Sequence, residues 1–242
     1  MNFRLSVILP AYQAAPLVGE AIERIRDEVG VEEMEIIVVD DGSKDETALL
    51  ARRSGANQVI ELKKNRGKGE AVRRGVAAAS GSYLVFTDVD LAYHPSQITS
   101  LVDVLEAGAD VALGSRRHQA SRDNHPASFI RERGSRVFSR LTRLLLPGPH
   151  LDTQCGLKGF TSQAAQSIFA ASRIDGFAFD VEVLFLARRL DLKIVEIPVT
   201  VDHVDQSTVR FIPQAIRMLW DVVRVRLWSI TGRYNDAPPS RG

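Results

Sequence analysis

A single cysteine, Cys155, leaves no partner for an intramolecular disulfide and fits a reducing compartment. No apolar run approaches the roughly 20 residues that span a bilayer, so any work at a membrane is expected at its surface. Met1-Asn2-Phe3-Arg4 leads straight into a short strand without a signal-peptide pattern. The expected location is therefore the cytoplasm, or the cytoplasmic face of a membrane as a peripheral protein. A net charge of +1 provides no global field for nucleic acid. The five histidines are scattered and have no cysteine partners, which argues against a zinc site. Walker spacing is absent, no G-x-G-x-x-G follows the first strand, and there is no G-x-S-x-G elbow. Internal repeats and low-complexity segments are absent as well.

The 242 residues are 45% hydrophobic and 25% charged, enough for one sizeable core. Leu5-Ser6-Val7-Ile8-Leu9-Pro10 predicts a first strand ended by proline. Pro16 suits the first turn of a helix whose apolar face is Val18, Ala21, Ile22, Ile25 and Val29, with Gly30 as its stop. Glu35 to Val39 reads as a second buried strand, and Ser43 with Glu46 as a capping box opening the next helix. Further strands are expected at 58–62, 111–113 and 193–199, and helices at 68–79, 95–105, 162–170, 180–189 and 213–228. This alternation predicts an α/β fold: a Rossmann-like, mostly parallel sheet flanked by helices, with amphipathic helices towards the C-terminus. Ser115 to Pro126 reads as a mobile polar loop, and residues 128–146 as a basic amphipathic helix carrying Arg133, Arg136, Arg140 and Arg143. The helix at 213–228 is apolar over so much of its surface that something must cover it. Residues 235–242 are expected to form a disordered tail.

The chemistry concentrates at strand ends. Tyr83-Leu84-Val85-Phe86-Thr87 runs directly into Asp88-Val89-Asp90. Such an apolar run is a buried strand, and unpaired buried charge is too costly, so both acids belong where the strand ends and a cleft opens. Two carboxylates there suit a hard divalent cation, Mg2+ or Mn2+, that can hold the phosphates of a nucleotide. Pro10-Ala11-Tyr12 and Asp40-Asp41 end two other strands, and in a doubly wound sheet such ends converge on one crevice. There Tyr12 can stack on a base, and Asp40 or Asp41 can accept hydrogen bonds from base or ribose; Asp41-Gly42-Ser43 equally suits a turn with a helix cap. Asn65-Arg66-Gly67-Lys68-Gly69 opens a helix, where glycines bring N–H groups close to a ligand and the N-terminus favours an anion. Arg116 and Arg117 follow the fifth strand and can neutralise a diphosphate.

Val7-Ile8-Leu9-Pro10-Ala11-Tyr12, Val38-Val39-Asp40-Asp41-Gly42-Ser43, Asn65-Arg66-Gly67-Lys68-Gly69 and Thr87-Asp88-Val89-Asp90 together resemble the family 2 glycosyltransferases of GT-A fold. Asp152-Thr153-Gln154-Cys155-Gly156-Leu157-Lys158, Phe179-Asp180-Val181-Glu182 and Glu196-Ile197-Pro198-Val199 resemble the polyprenyl-phosphate glycosyltransferases, the dolichyl-phosphate glucosyltransferase type first and the mannosyltransferases next. The resemblance spans roughly residues 4–232. It implies one GT-A domain over 1–234, with a nucleotide-sugar half to about 115 and an acceptor half from about 116. It implies a metal-dependent, inverting transfer of a hexose from a UDP- or GDP-sugar to polyprenyl phosphate.

By the same resemblance, Asp88 and Asp90 hold the metal, and Asp90 and Asp152 carry catalysis, Asp152 near the acceptor. Pro10, Ala11, Tyr12, Val38, Asp40, Asp41, Gly67, Lys68 and Val89 surround the nucleotide, with Arg116 and Arg131 on phosphates. Arg210 stands close to where the family has a basic residue after the serine of its last motif. A lipid monophosphate is already anionic near pH 7, so positive groups that position it matter more than a general base. For a sugar or small-molecule hydroxyl acceptor, Asp152 becomes the base instead. A non-catalytic nucleotide-binding module on the same fold is the remaining alternative. The expected partners are the two substrates and either a membrane surface or a membrane protein, with no nucleic acid.

Overall fold

The computed structural model describes residues 3–123, 152–153, 155–201 and 211–234. The basic helix expected at 128–146, with Arg131, and also Arg210 and the tail at 235–242, lie outside the described residues. In chain order the first elements are β1 (Leu5–Ala11), α1 (Ala15–Glu28), β2 (Met34–Asp40), α2 (Thr47–Arg53), β3 (Gln58–Glu61), α3 (Lys68–Ala78) and β4 (Tyr83–Phe86). There follow α4 (Gln97–Glu106), β5 (Val111–Ser115), β6 (Arg122–Asp123), β7 (Lys158–Thr161), α5 (Ser162–Ala171), α6 (Phe179–Arg189), β8 (Ile194–Pro198), β9 (Thr200–Val201) and α7 (Phe211–Ile230).

Among the described residues the main sheet has seven strands in the order β3-β2-β1-β4-β7-β5-β8. All neighbours pair parallel except β7, which runs antiparallel to both β4 and β5. A strand from late in the chain thus sits between two early ones. Period-two alternation divides β1 between two cores. Leu5, Val7, Leu9 and Ala11 pack with α1 and α4 on one face. Ile8 packs with α3, α5, α6 and the inner side of α7 on the other. Phe86, Phe160 and Phe179 join the sheet to that second layer, with ring centroids 5.6–6.0 Å apart.

Three local expectations are corrected. Pro10 does not end β1, which continues to Ala11. Ile8 O accepts from Thr87 N on the β4 side and Ala11 O from Asp41 N on the β2 side. Alternation therefore turns Pro10 towards β4, beyond the last paired residue of that strand, and no ladder bond is lost. The capping box at Ser43 does not form. Helix α2 starts at Thr47, and the Ser43 hydroxyl accepts from Gln13 N at 2.8 Å instead. The polar stretch from Ser115 is not wholly loop: Ser115 ends β5, and Arg122–Asp123 pair in parallel with β9.

Helix α7 is amphipathic as expected. Val222 and Val225 are buried, and Trp220, Leu227 and Ile230 are exposed. Its C-terminal end is tied down by Tyr234, whose hydroxyl donates to the buried Glu182 at 2.6 Å. Burial pushes the Glu182 carboxyl up, against that hydroxyl and the N–H groups of Ile174 and Arg173. No described helix is long and apolar enough to cross a membrane.

Candidate active site

The C-terminal ends of β2, β1 and β4 lie side by side because these strands are parallel neighbours. Tyr12, Asp40 and Asp88 therefore reach one edge of the sheet, the position at which open α/β sheets bind ligands. Tyr12 is 47% exposed there. Pro10 and Ala11 beneath it are buried. Val38 is fully buried in the α1-side core.

The loops beyond β1, β2 and β3 interlock through polar groups. Ser43 and Thr47 accept from Gln13 N and Ala14 N, both at 2.8 Å. Asp40 Oδ1 accepts from Ser43 N at 2.9 Å. Asp41 receives Arg66 N on Oδ1 and Gly67 N on Oδ2, each at 2.7 Å. Burial pushes the Asp41 carboxyl up against the pull of these two donors. Both its oxygens thus fasten the glycine-rich loop. That loop is also closed to an anion at its first turn, because Gly69 N donates to Asp175 O at 2.7 Å. Its glycines answer to packing: a Cβ on Gly67, at φ +110°, would meet Asp175 O at 2.5 Å, and one on Gly69 would meet Ile174 O at 2.3 Å.

Lys68, the first residue of α3, turns its ammonium onto Asp88 Oδ1 at 2.5 Å. Burial works against that charge, but Asp88 and Asp180 outweigh it and Lys68 is held charged. Asp88 is one-third exposed and Asp90 is exposed, with Asp90 Oδ1 accepting from Ala92 N at 3.2 Å. Val89 between them is half-buried. The next residue, Leu91, is buried at φ +45°, an unusual conformation for a leucine. Such strain collects where a turn must aim functional groups.

Just past β5, Arg116 meets Asp152. Nε donates to Oδ2 at 2.7 Å and an Nη to Oδ1 at 3.0 Å, a bidentate pair. Arg116, expected on phosphate, is thus anchored by the very acid expected near the acceptor. Tyr93 and Cys155 are buried beside this pair, and burial pushes both up. Gly156 packs against Asp88, where a Cβ would fall 2.2 Å from Oδ2. Beneath it, the wholly buried Lys158 reaches Asp180 Oδ1 at 2.5 Å. Sequence reading missed this pair, although a lysine in a sheet strand and an acid in an apolar helix were both signals of a buried partner.

Among the described residues no group of three or more His, Cys, Asp or Glu side chains could hold a metal ion. Asp88 and Asp90 can supply only part of a coordination shell. That fits Mg2+ or Mn2+, which take one or two carboxylates and complete the shell with phosphate oxygens and water. The demand of Asp88 for a cation is visible in the Lys68 ammonium that stands on it.

Residues 6–169 match the family model described as Glycosyl transferase family 2. A dolichyl-phosphate beta-glucosyltransferase of Dictyostelium discoideum is 33% identical, covering 96% of this chain and 76% of that protein. Its namesake in Saccharomyces cerevisiae is 32% identical over 96% of this chain and 77% of its own. Among solved structures, glucosyl-3-phosphoglycerate synthase from Mycobacterium tuberculosis, in complex with Mn2+, UDP-glucose and phosphoglyceric acid, superposes with a TM-score of 0.71. It is 25% identical and covers 96% of this chain and 80% of that one.

Proposed function

From the premise that this chain belongs to glycosyl transferase family 2, we propose that it is an inverting transferase moving glucose from UDP-glucose to a polyprenyl phosphate. The glucosyl group and the lipid acceptor follow its dolichyl-phosphate beta-glucosyltransferase relatives. The uridine nucleotide follows the Mycobacterium tuberculosis synthase, with UDP-glucose in its complex. Tyr12 and Asp40 hold the nucleoside, and Lys68 serves the diphosphate. Asp41, Gly67 and Val89 shape the loops around it. Asp88 and Asp90 hold a divalent cation whose charge, when bound, stabilises the departing nucleoside diphosphate.

The observation that carries the acceptor assignment is the Arg116–Asp152 pair. Both carboxylate oxygens of Asp152 are taken up by the Arg116 guanidinium, Oδ2 by Nε at 2.7 Å and Oδ1 by an Nη at 3.0 Å. Asp152 is therefore better suited to positioning Arg116 than to deprotonating a hydroxyl. An arginine held at the acceptor side suits a nucleophile that already carries its negative charge. The test is an acceptor panel with radiolabelled UDP-glucose and Mn2+: polyprenyl phosphate, phosphoglyceric acid, and neutral sugars. Label should pass into the lipid fraction with polyprenyl phosphate only. Transfer to a neutral sugar at a comparable rate would overturn the anionic acceptor. Transfer to phosphoglyceric acid alone would keep the anion and remove the lipid.

The surface of α7 supports a lipid acceptor. Trp220, Leu227 and Ile230 form an exposed apolar stripe, flanked by the exposed Arg217, Arg224 and Arg226. The opposite side of the helix packs into the core through Val222 and Val225. An apolar stripe edged by arginines fits an interface with anionic headgroups. Leu227→Ser with Ile230→Ser is expected to weaken co-sedimentation with anionic vesicles at least about tenfold, since burying each side chain contributes about 1.5–3 kcal/mol. Unchanged sedimentation would leave a membrane protein as the anchor.

A further inference from the structure

We propose that Lys68 is a built-in cation of the donor site. It occupies Asp88 until the nucleoside diphosphate arrives, so that the divalent ion and the nucleotide bind cooperatively. This rests on the reading of Asp88 and Asp90 as metal ligands.

Four observations lead there. The ammonium sits 2.5 Å from Asp88 Oδ1. The other oxygen, Oδ2, lies against Gly156, where a Cβ would come within 2.2 Å. Oδ1 is thus the more open oxygen of Asp88, and it is the one taken. Second, Asp180, whose charge also acts on Lys68, has its Oδ1 held by Lys158 at 2.5 Å. Third, the ammonium lies 5.9 Å from the ring centroids of both Phe86 and Phe179, so aromatic faces add to the support of its charge. Fourth, the backbone at Lys68 is fixed from both sides. Gly67 N donates to Asp41 and Gly69 N to Asp175 O, each at 2.7 Å, which leaves the side chain as the part that can move.

Lysine suits this task better than arginine, being a compact charge on a flexible stem. Two cations cannot share one carboxylate oxygen without strong repulsion, so metal on Asp88 requires the ammonium to leave. A diphosphate gives it somewhere to go. Each ligand then lowers the cost of binding the other, and the coupling is reciprocal.

The experiment is Mn2+ titration followed by the electron paramagnetic resonance of unbound ion. It uses wild type, Lys68→Met, Lys68→Arg and Asp90→Asn, each with and without UDP. Without UDP, Lys68→Met is expected to bind Mn2+ about tenfold more tightly than wild type, within the range typical of coupled sites. Lys68→Arg, which keeps the charge, should bind it as weakly as wild type. With UDP, wild type should gain Mn2+ affinity and Lys68→Met should gain much less. If Lys68→Met and wild type bind Mn2+ equally without UDP, while Asp90→Asn abolishes binding with UDP, the role of Lys68 is overturned and the metal site stands. If Asp90→Asn changes nothing in wild-type background, the metal site itself is wrong and the inference falls with it. Circular dichroism of each variant separates these outcomes from loss of fold.

Discussion

Asp90→Asn is expected to lower turnover by about a hundredfold or more while the protein stays folded. A bound divalent ion contributes several kcal/mol of charge stabilisation in the transition state, and each ~1.4 kcal/mol is tenfold in rate. The fold should survive because Asp90 is exposed in the turn after β4. Its Oδ1 accepts from Ala92 N at 3.2 Å, a bond that an asparagine oxygen also accepts. Asp88→Asn is a less clean probe, since it also removes the charge facing Lys68 at 2.5 Å. The measurement is steady-state turnover beside the denaturation midpoint. Near-normal turnover in Asp90→Asn, or wild-type turnover unaffected by excess chelator, would take Asp90 out of the chemistry.

Lys158→Met should have the largest effect on stability, a loss of about 3–5 kcal/mol, because it strands a buried carboxylate. Lys158 is wholly buried in β7, and its ammonium meets both Asp180 Oδ1 and Cys155 O. It also lies over the Phe86 ring, 5.4 Å from its centroid. Domains are typically stable by only about 5–15 kcal/mol, so such a loss is a large fraction of the total. The double variant Lys158→Met/Asp180→Leu should recover much of it, since buried pairs are often replaceable by apolar residues at little net cost. Urea unfolding of the two single variants and the double one measures the coupling directly. A loss below about 1 kcal/mol in Lys158→Met would mean that the Asp180 carboxyl finds another partner or is neutral in the folded protein.

Much of this protein is legible along the chain because its cause is local. The alternation of β1 between two cores, the helical spacing of Val18, Ala21, Ile22 and Ile25, and the carboxylates of Asp88 and Asp90 after an apolar run all follow from periodicity and the cost of burying charge. Those features place β1, β2 and β4 in a parallel sheet with Tyr12, Asp40 and Asp88 at one edge.

Partnership was not legible. Nothing in Lys158-Gly159-Phe160-Thr161 says that this strand runs antiparallel between β4 and β5, because strand direction is set by where its neighbours lie. The sequence left Asp41 between a ligand acceptor and a turn; folding brought its carboxylate onto the N–H groups of Arg66 and Gly67. Arg116 and Asp152, 36 residues apart, form a bidentate pair that neither residue announces alone. Lys68 on Asp88 and Lys158 on Asp180 belong to the same class. A side chain's chemistry is written at its own position, but the group that satisfies a buried charge comes from whatever distant segment the closed fold brings within about 3 Å, and only the tertiary structure decides which.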